Sequence, residues 1–204
     1  MLEARAHQQL KHLLQQERSS WPHHLTLSRL MARGLRRRDS ALFQLAPSSQ
    51  EHWWLGVLVP LCLQSRRAVL VLEEPQKRRL LEVERPRLLE AGLKLACWTA
   101  ETPPTGDQVW VLSTAGLVRA HQQGLLMPDH QLVVPEGQHF SQRLRNALST
   151  EIGPSDWERL RQAHPCADAA LLELHERISR RVFAQATRND AQVRLDGSAL
   201  LALR

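Results

Sequence analysis

The chain has 204 residues, 43% of them apolar and 24% charged, which is typical of a globular protein with a hydrophobic core. Its net charge of +6 and pI near 10.2 favour an anionic partner such as nucleic acid. Three widely spaced cysteines argue against a disulfide framework and against a C-x-x-C metal site. The longest apolar run, residues 53–63, is too short to span a bilayer. We therefore expect a cytoplasmic protein with no membrane association and no bound metal.

The first forty residues predict two helices, over 2–18 and 25–38, because apolar residues recur in both at helical spacing. The second ends in an arginine cluster formed by Arg33, Arg36, Arg37 and Arg38. Positive charge suits the negative end of a helix dipole. The cluster is compatible both with a solvated helix end and with a phosphate contact.

Strands and helices alternate in the next hundred residues. The predicted strands are residues 41–46 (ALFQLA), 67–73, 93–99, 109–112 and 132–134. The predicted helices between them are residues 50–64, 75–91 with an interruption at Pro86, and 114–124. Strands joined through single helices form a parallel sheet with right-handed crossovers.

The remaining elements are all helical. They are residues 141–148, 154–163 and 167–186, and Ser155–Glu158 (SDWE) matches a capping box that opens the second of them. We predict an α/β protein with N-terminal helices (1–40) packed on a mostly parallel sheet domain flanked by helices (41–140). A helical extension (141–204) follows.

The turn after the first predicted strand lacks the residues of a phosphate loop. A nucleotide site there needs glycines and a lysine at a helix N-terminus, but residues 46–53 are APSSQEHW. Ser48 and Glu51 match a capping box instead, which satisfies the backbone donors that a phosphate would need. If a nucleotide did bind here, Ser48, Ser49 and His52 would contact it. We expect a structural cap.

Four segments, taken in order, resemble the first motor domain of superfamily-2 DNA helicases of the XPD/DinG branch. They are LTLSRLMARGLRRRDSALFQLAPSS, LGVLVPLCL, VWVLSTAGLVRA and LVVPEGQHF, within residues 20–140. The resemblance implies a RecA-like sheet, and it places the helices after residue 141 at the position of the family's arch-like domain. It also implies that a second motor domain would have to come from elsewhere. Residues 200–204 end without a closing signal, which leaves open that the chain is a fragment of a longer protein.

The same resemblance identifies altered catalytic positions. Glu136 matches the family glutamate that activates water, but Pro135 stands at the position of the magnesium-binding aspartate and Gln138 at that of the histidine. Only Cys97 lies in the interval where the family carries four cluster cysteines, so no iron–sulfur cluster is expected. Without the aspartate and the lysine, neither magnesium nor the γ-phosphate has its main partner.

These observations predict a degenerate helicase domain that binds DNA, single-stranded in particular, without turning over ATP. The phosphate contacts would come from Lys77, Arg78, Arg79, Ser113, Thr114 and Arg119, at the carboxyl edge of the sheet. The predicted core includes the tryptophans Trp53, Trp54, Trp98 and Trp110. Two alternatives remain open, so the sequence does not decide whether the protein is an enzyme. One is an active helicase ATPase within a longer chain, with Glu136 as base and ATP and magnesium near Ser48, Ser49 and His52. The other is a non-catalytic scaffold that binds a partner protein through an exposed apolar patch.

Overall fold

The computed structural model describes residues 1–17, 21, 23–46, 52–106, 109–149 and 152–184. The helices are α1 (Leu2–Glu17), α2 (His24–Arg37), α3 (Trp53–Leu63), α4 (Glu74–Arg79), α5 (Arg85–Glu90), α6 (Thr114–Gln122), α7 (Gly137–Leu148), α8 (Pro154–Ala163) and α9 (Asp168–Phe183). The strands are β1 (Ala68–Val71), β2 (Cys97–Trp98), β3 (Val109–Leu112) and β4 (Gln131–Val133). The chain divides into two compact units, Met1–Ser149 and Thr150–Arg204.

All strand pairs in the described sheet are parallel, as predicted, and their order is β2-β3-β1-β4. Ala68 lies opposite both Val109 of β3 and Gln131 of β4. The chain passes from β1 to the β2 edge through α4 and α5, then returns and crosses over β1 through α6 to reach β4. The protein is therefore an α/β protein with an all-parallel sheet.

Alternating side chains of the central strands point to opposite faces of the sheet and pack into two separate cores. Leu70 of β1 and Val111 of β3 pack with residues of α1, α2, α3 and the helices after β1 on one face. Val69 and Trp110 pack with α6 on the other face. This division follows from the two-residue period of a strand, because both faces of a parallel sheet are covered by helices. The predicted burial of Trp53, Trp54 and Trp110 is confirmed.

The predicted first strand is wrong. Residues 41–46 are irregular in the structure and do not join the sheet. Phe43 and Leu45 pack against the first core, while Leu42 is 89% exposed. The apolar side chains that predicted a strand instead pack one side of an irregular segment against the core, without a hydrogen-bond ladder.

Three further predictions need correction. The strand over 93–99 is reduced to Cys97–Trp98, because Leu93 and Leu95 are buried without ladder hydrogen bonds, and Trp98 is 37% exposed. The helix predicted from residue 50 has its described start at Trp53. The cap of α8 is Gly153, whose N–H donates to Asp156 Oδ2 at 2.9 Å, so the SDWE segment lies inside the helix.

The helix predicted to be interrupted at Pro86 is continuous, but it widens into one π turn, Leu80–Glu84, between α4 and α5. Proline lacks an N–H and its ring collides with the carbonyl four residues earlier. A π turn relieves both problems by shifting the local hydrogen-bond register. The same turn places Glu84 inside the protein. Among the described residues, no helix has the length and apolar character needed to cross a membrane.

Substitutions at two helical glycines should change the stability of the protein in opposite directions. A Cβ at Gly56 of α3 would meet Leu27 Cδ2 at 2.7 Å and Leu27 Cβ at 3.1 Å, whereas a Cβ at Gly34 of α2 would meet nothing within 4 Å. We expect Gly56→Ala to lower the free energy of unfolding by about 1–3 kcal/mol, because α2 and α3 must separate. Gly34→Ala should raise it by about 0.5–1 kcal/mol through helix propensity. Urea unfolding of both variants checks this, and equal signs would contradict the packing of α2 on α3.

Candidate functional site

The carboxyl ends of β1, β3 and β4 lie side by side, which brings Glu73, Ser113 and Glu136 to one edge of the sheet. After β1 the chain turns towards the first core, and after β3 it turns towards the second. Neighbouring strands whose connections leave on opposite faces define a crevice, which is where α/β proteins bind ligands. The candidate site is therefore the crevice between β1 and β3.

A carboxylate from the chain itself spans this crevice. Glu73 Oε1 accepts a hydrogen bond from the Thr114 N–H at 3.1 Å and one from Thr114 Oγ1 at 2.6 Å. Ser113 caps α6, because its Oγ accepts from the Gly116 N–H at 3.1 Å. The N-terminus of a helix carries a partial positive charge that would attract an anion. In α6 the backbone N–H donors of Thr114 and Gly116 are instead bonded to side chains of the protein itself.

Most of the predicted phosphate-binding cations have carboxylate partners. Lys77 Nζ lies 3.3 Å from Glu74 Oε1, and Arg119 Nη2 lies 2.5 Å from Glu101 Oε1. Arg79 Nε lies 3.1 Å from Glu84 Oε1, and its guanidinium lies 5.5 Å from the centre of the Trp54 ring. Arg78 is exposed and has no ion pair within the described part of the chain.

The predicted catalytic glutamate is also engaged. Glu136 precedes α7 and forms an ion pair with Arg143 of that helix. Close by in the chain, the Gln138 and His139 side chains are joined by a 3.0 Å hydrogen bond. Ser48 and Ser49 lie outside the described residues, as does Glu51, the partner of Ser48 in the predicted capping box. The His52 ring stacks on Trp21, with ring centres 6.0 Å apart.

The described residues contain no group of three or more His, Cys, Asp or Glu side chains placed to hold a metal ion. Cys62 and Cys97 are half-buried in the first core. Burial raises the pKa of the Cys62 thiol to about 12 and that of the Cys97 thiol to about 11. Both groups are therefore protonated at neutral pH, which suits packing better than thiolate chemistry.

Two structural carboxylates were missed by the sequence interpretation. Glu73 was included at the end of a predicted strand, although the first polar residue after a buried parallel strand often lies at a crevice. Glu84 is fully buried and accepts hydrogen bonds from Arg79 and Arg87. No pattern in the charged helix distinguishes Glu84 from its exposed neighbours, because the π turn that redirects it is not encoded by periodicity.

Comparison of the chain with family models, with curated proteins and with solved structures found no match. The features that bear on function are therefore the crevice, the ion pairs around it and the distribution of the remaining cations.

A pH dependence of stability arises next to this sheet. His130 Nδ1 accepts the Met127 N–H at 3.0 Å, and the ring centre lies 6.2 Å from that of Trp110. Burial, with a smaller contribution from Arg67, lowers the pKa of His130 below 6.5, although Asp129 opposes the shift. The folded protein therefore favours the neutral ring. Its contribution to stability is complete above the unfolded-state pKa and is lost as pH falls towards the folded-state pKa.

We expect the urea midpoint to fall between pH 7.5 and pH 5, and to fall less in His130→Gln, whose amide oxygen can accept the same hydrogen bond. His121→Gln, on the exposed side of α6, is the matched control and should keep the wild-type pH profile. An unchanged profile in His130→Gln would contradict this assignment.

Proposed function

We propose that the chain is a cytoplasmic helicase-like domain of the XPD/DinG type, RecA-like in fold, that binds single-stranded DNA and does not hydrolyse ATP. The proposed domain needs no cofactor, and neither ATP with magnesium nor an iron–sulfur cluster takes part in its binding to DNA. Movement along DNA would require a second motor domain or another partner protein. This proposal rests on the resemblance of the four segments and on the chemistry of the carboxyl edge.

The observation that best supports the proposal is that the predicted catalytic acid at that edge is bonded within the chain, whereas two of the predicted phosphate-binding cations are exposed. The glutamate that ATP chemistry would need, Glu136, is bonded within the chain to Arg143. Arg78 and Arg119 remain at the surface, where they are accessible to a phosphate.

The surface ion pairs do not prevent such binding. The Arg119 and Glu101 side chains are 52% and 78% exposed, and exposed pairs of this kind contribute only about 0.2–1 kcal/mol. Exchange of a carboxylate for a phosphate therefore costs little. By contrast, the Glu73–Thr114 bridge involves a buried threonine and is more costly to open.

Two titrations test the proposal. Fluorescence anisotropy with a fluorescein-labelled single strand of twenty thymidines should give saturable binding whose log K falls linearly with log salt. Calorimetry with magnesium–ATP at millimolar concentration should give no binding heat. Absence of DNA binding would overturn the proposal in favour of a protein-binding scaffold. Hydrolysis of ATP that disappears in Glu136→Gln would overturn it in favour of an active ATPase.

A further inference from the structure

The outer face of α2 carries an unusual row of arginines. Leu27, Met31 and Leu35 face the core. At about 100° per residue, the four arginines of the helix fall within an arc of about 100° on the opposite side. They are Arg29, Arg33, Arg36 and Arg37, and all four are exposed. The arginine face of α2 is defined here by these four residues.

The pairing of its arginines with acids distinguishes this face from α9, another arginine-bearing helix. In α9, Arg177 pairs with Glu173 and Arg180 with Glu176, each one helical turn away. The α2 helix contains no acidic residue, so no such pair can form within it. Instead, Arg33 is four residues from both Arg29 and Arg37, a spacing at which like charges repel.

Nearby elements neutralise only one end of the face. Arg36 Nε lies 2.7 Å from Glu3 Oε1, and Arg37 Nε lies 3.4 Å from Asp39 Oδ2. Arg29 and Arg33 have no ion pair within the residues that the structure describes. The helix dipole accounts for cations in the last turn, but its effect is lost further from the end. It therefore explains Arg36 and Arg37 and leaves Arg29 and Arg33 unexplained.

An open groove adjoins the arginine face. Its volume is about 250 Å³, and Arg5 of α1, Arg36 and Arg66 line it together with apolar residues such as Leu35 and Leu63. Arg66 Nη1 donates to the backbone carbonyl of Arg36 at 3.2 Å, which holds the Arg66 guanidinium at the C-terminal end of α2. The Gln64 side-chain amide also lines the groove, and its nitrogen and oxygen have no hydrogen-bond partner in the described part of the protein. The groove therefore combines positive charge with an unused polar group.

We propose that the arginine face of α2, with Arg5 and Arg66 of the groove, binds the phosphodiester backbone of single-stranded nucleic acid. This inference rests on the proposed function and adds to it a binding surface away from the carboxyl edge. Arg29 and Arg36 are separated by about 10 Å along the helix axis, at 1.5 Å per residue, which exceeds the size of one phosphate and fits successive phosphates of a strand. Guanidinium groups match phosphate oxygens in bidentate geometry. Contacts of this type do not read bases, so binding there is independent of sequence.

The test compares two variants that lose the same charge. Arg29→Gln with Arg33→Gln removes the unpaired part of the face, and Arg177→Gln with Arg180→Gln removes two paired arginines of α9. With the labelled thymidine strand, the first variant should bind about tenfold more weakly at moderate salt. Its slope of log K against log salt should also fall by about 1.4, at about 0.7 per lost phosphate contact. The α9 variant should stay within about twofold of the wild type, as expected for paired surface charges.

Loss of binding must be separated from loss of folding. Glutamine has a helix propensity close to that of arginine, and removing Arg33 relieves repulsion, so the thermal midpoint of the α2 variant should be unchanged or higher. If the wild type binds DNA and the α2 variant weakens binding no more than the α9 variant, the inference is overturned while the proposed function stands. If the wild type does not bind DNA, the proposed function fails and the inference fails with it.

Discussion

Replacing Arg79 and Arg87 together by methionine should lower the free energy of unfolding by about 3–5 kcal/mol, because it leaves a buried carboxylate without a positive partner. The Glu84 side chain is 1% exposed, and its two oxygens accept hydrogen bonds of 3.1 Å from Arg79 Nε and Arg87 Nη1. Both arginines are partly exposed, so their own charges are not trapped. The destabilisation therefore comes mainly from the unpaired carboxylate of Glu84, with a smaller loss from the contact of Arg79 with Trp54. Urea unfolding at pH 7.5 measures it.

Two control variants separate this effect from a general loss of arginine. Arg78→Met changes an exposed neighbour and should alter stability by no more than about 0.5 kcal/mol. The triple variant that adds Glu84→Leu removes the buried charge as well and should recover most of the lost stability, because an apolar replacement of a buried ion pair is often neutral. A double variant as stable as the wild type would show that Glu84 does not carry a buried charge.

Glu73→Ala should lower the free energy of unfolding by about 2–4 kcal/mol. The substitution removes the acceptor of two hydrogen bonds from Thr114, of 3.1 Å and 2.6 Å, and hydrogen bonds to charged groups contribute about 1.5–3 kcal/mol each. Thr114 is 2% exposed, so water does not readily replace the lost carboxylate. Because the bridge joins the ends of β1 and β3, the loss should also loosen the N-terminus of α6. Hydrogen exchange of the amides at the start of α6 should report this change.

The adjacent Glu74 supplies the matched control. Glu74→Ala removes an exposed carboxylate whose pair with Lys77 is a surface contact, and it should change stability by less than about 1 kcal/mol. Thr114→Val removes the hydroxyl but keeps the backbone donor, so its effect should be smaller than that of Glu73→Ala. If Glu73→Ala and Glu74→Ala change the free energy of unfolding by the same amount, Glu73 does not hold the ends of β1 and β3 together.

The parallel sheet was predictable because its central strands are short apolar runs with helical segments between them. Val109–Leu112 and Ala68–Val71 are buried on both faces, and this state leaves a continuous apolar signature. Residues 41–46 carry a similar local signal but lack a strand partner in the described sheet. Pairing is a tertiary property, and six residues do not encode it.

The polar part of the candidate site was less predictable. Lys77, Arg79 and Arg119 were identified as cations, but their partners Glu74, Glu84 and Glu101 were not assigned. Lys77 and Glu74, and likewise Arg79 and Glu84, are close in the sequence, which indicates that they can pair. Arg119 and Glu101 are far apart in the sequence and are brought together only by the fold. For the arginines of α2 the relevant signal was the missing acid within the helix, and only the structure showed that nearby elements do not fully replace it.

The three thiols differ enough in environment to give the protein a natural attachment point for a fluorophore. Cys166 is exposed, whereas Cys62 and Cys97 are half-buried and remain protonated because burial raises their pKa values to about 12 and about 11. Maleimides react with the thiolate, so at neutral pH they should modify Cys166 first and leave the sheet domain chemically intact. The protein can therefore be labelled at a single position without any engineered cysteine.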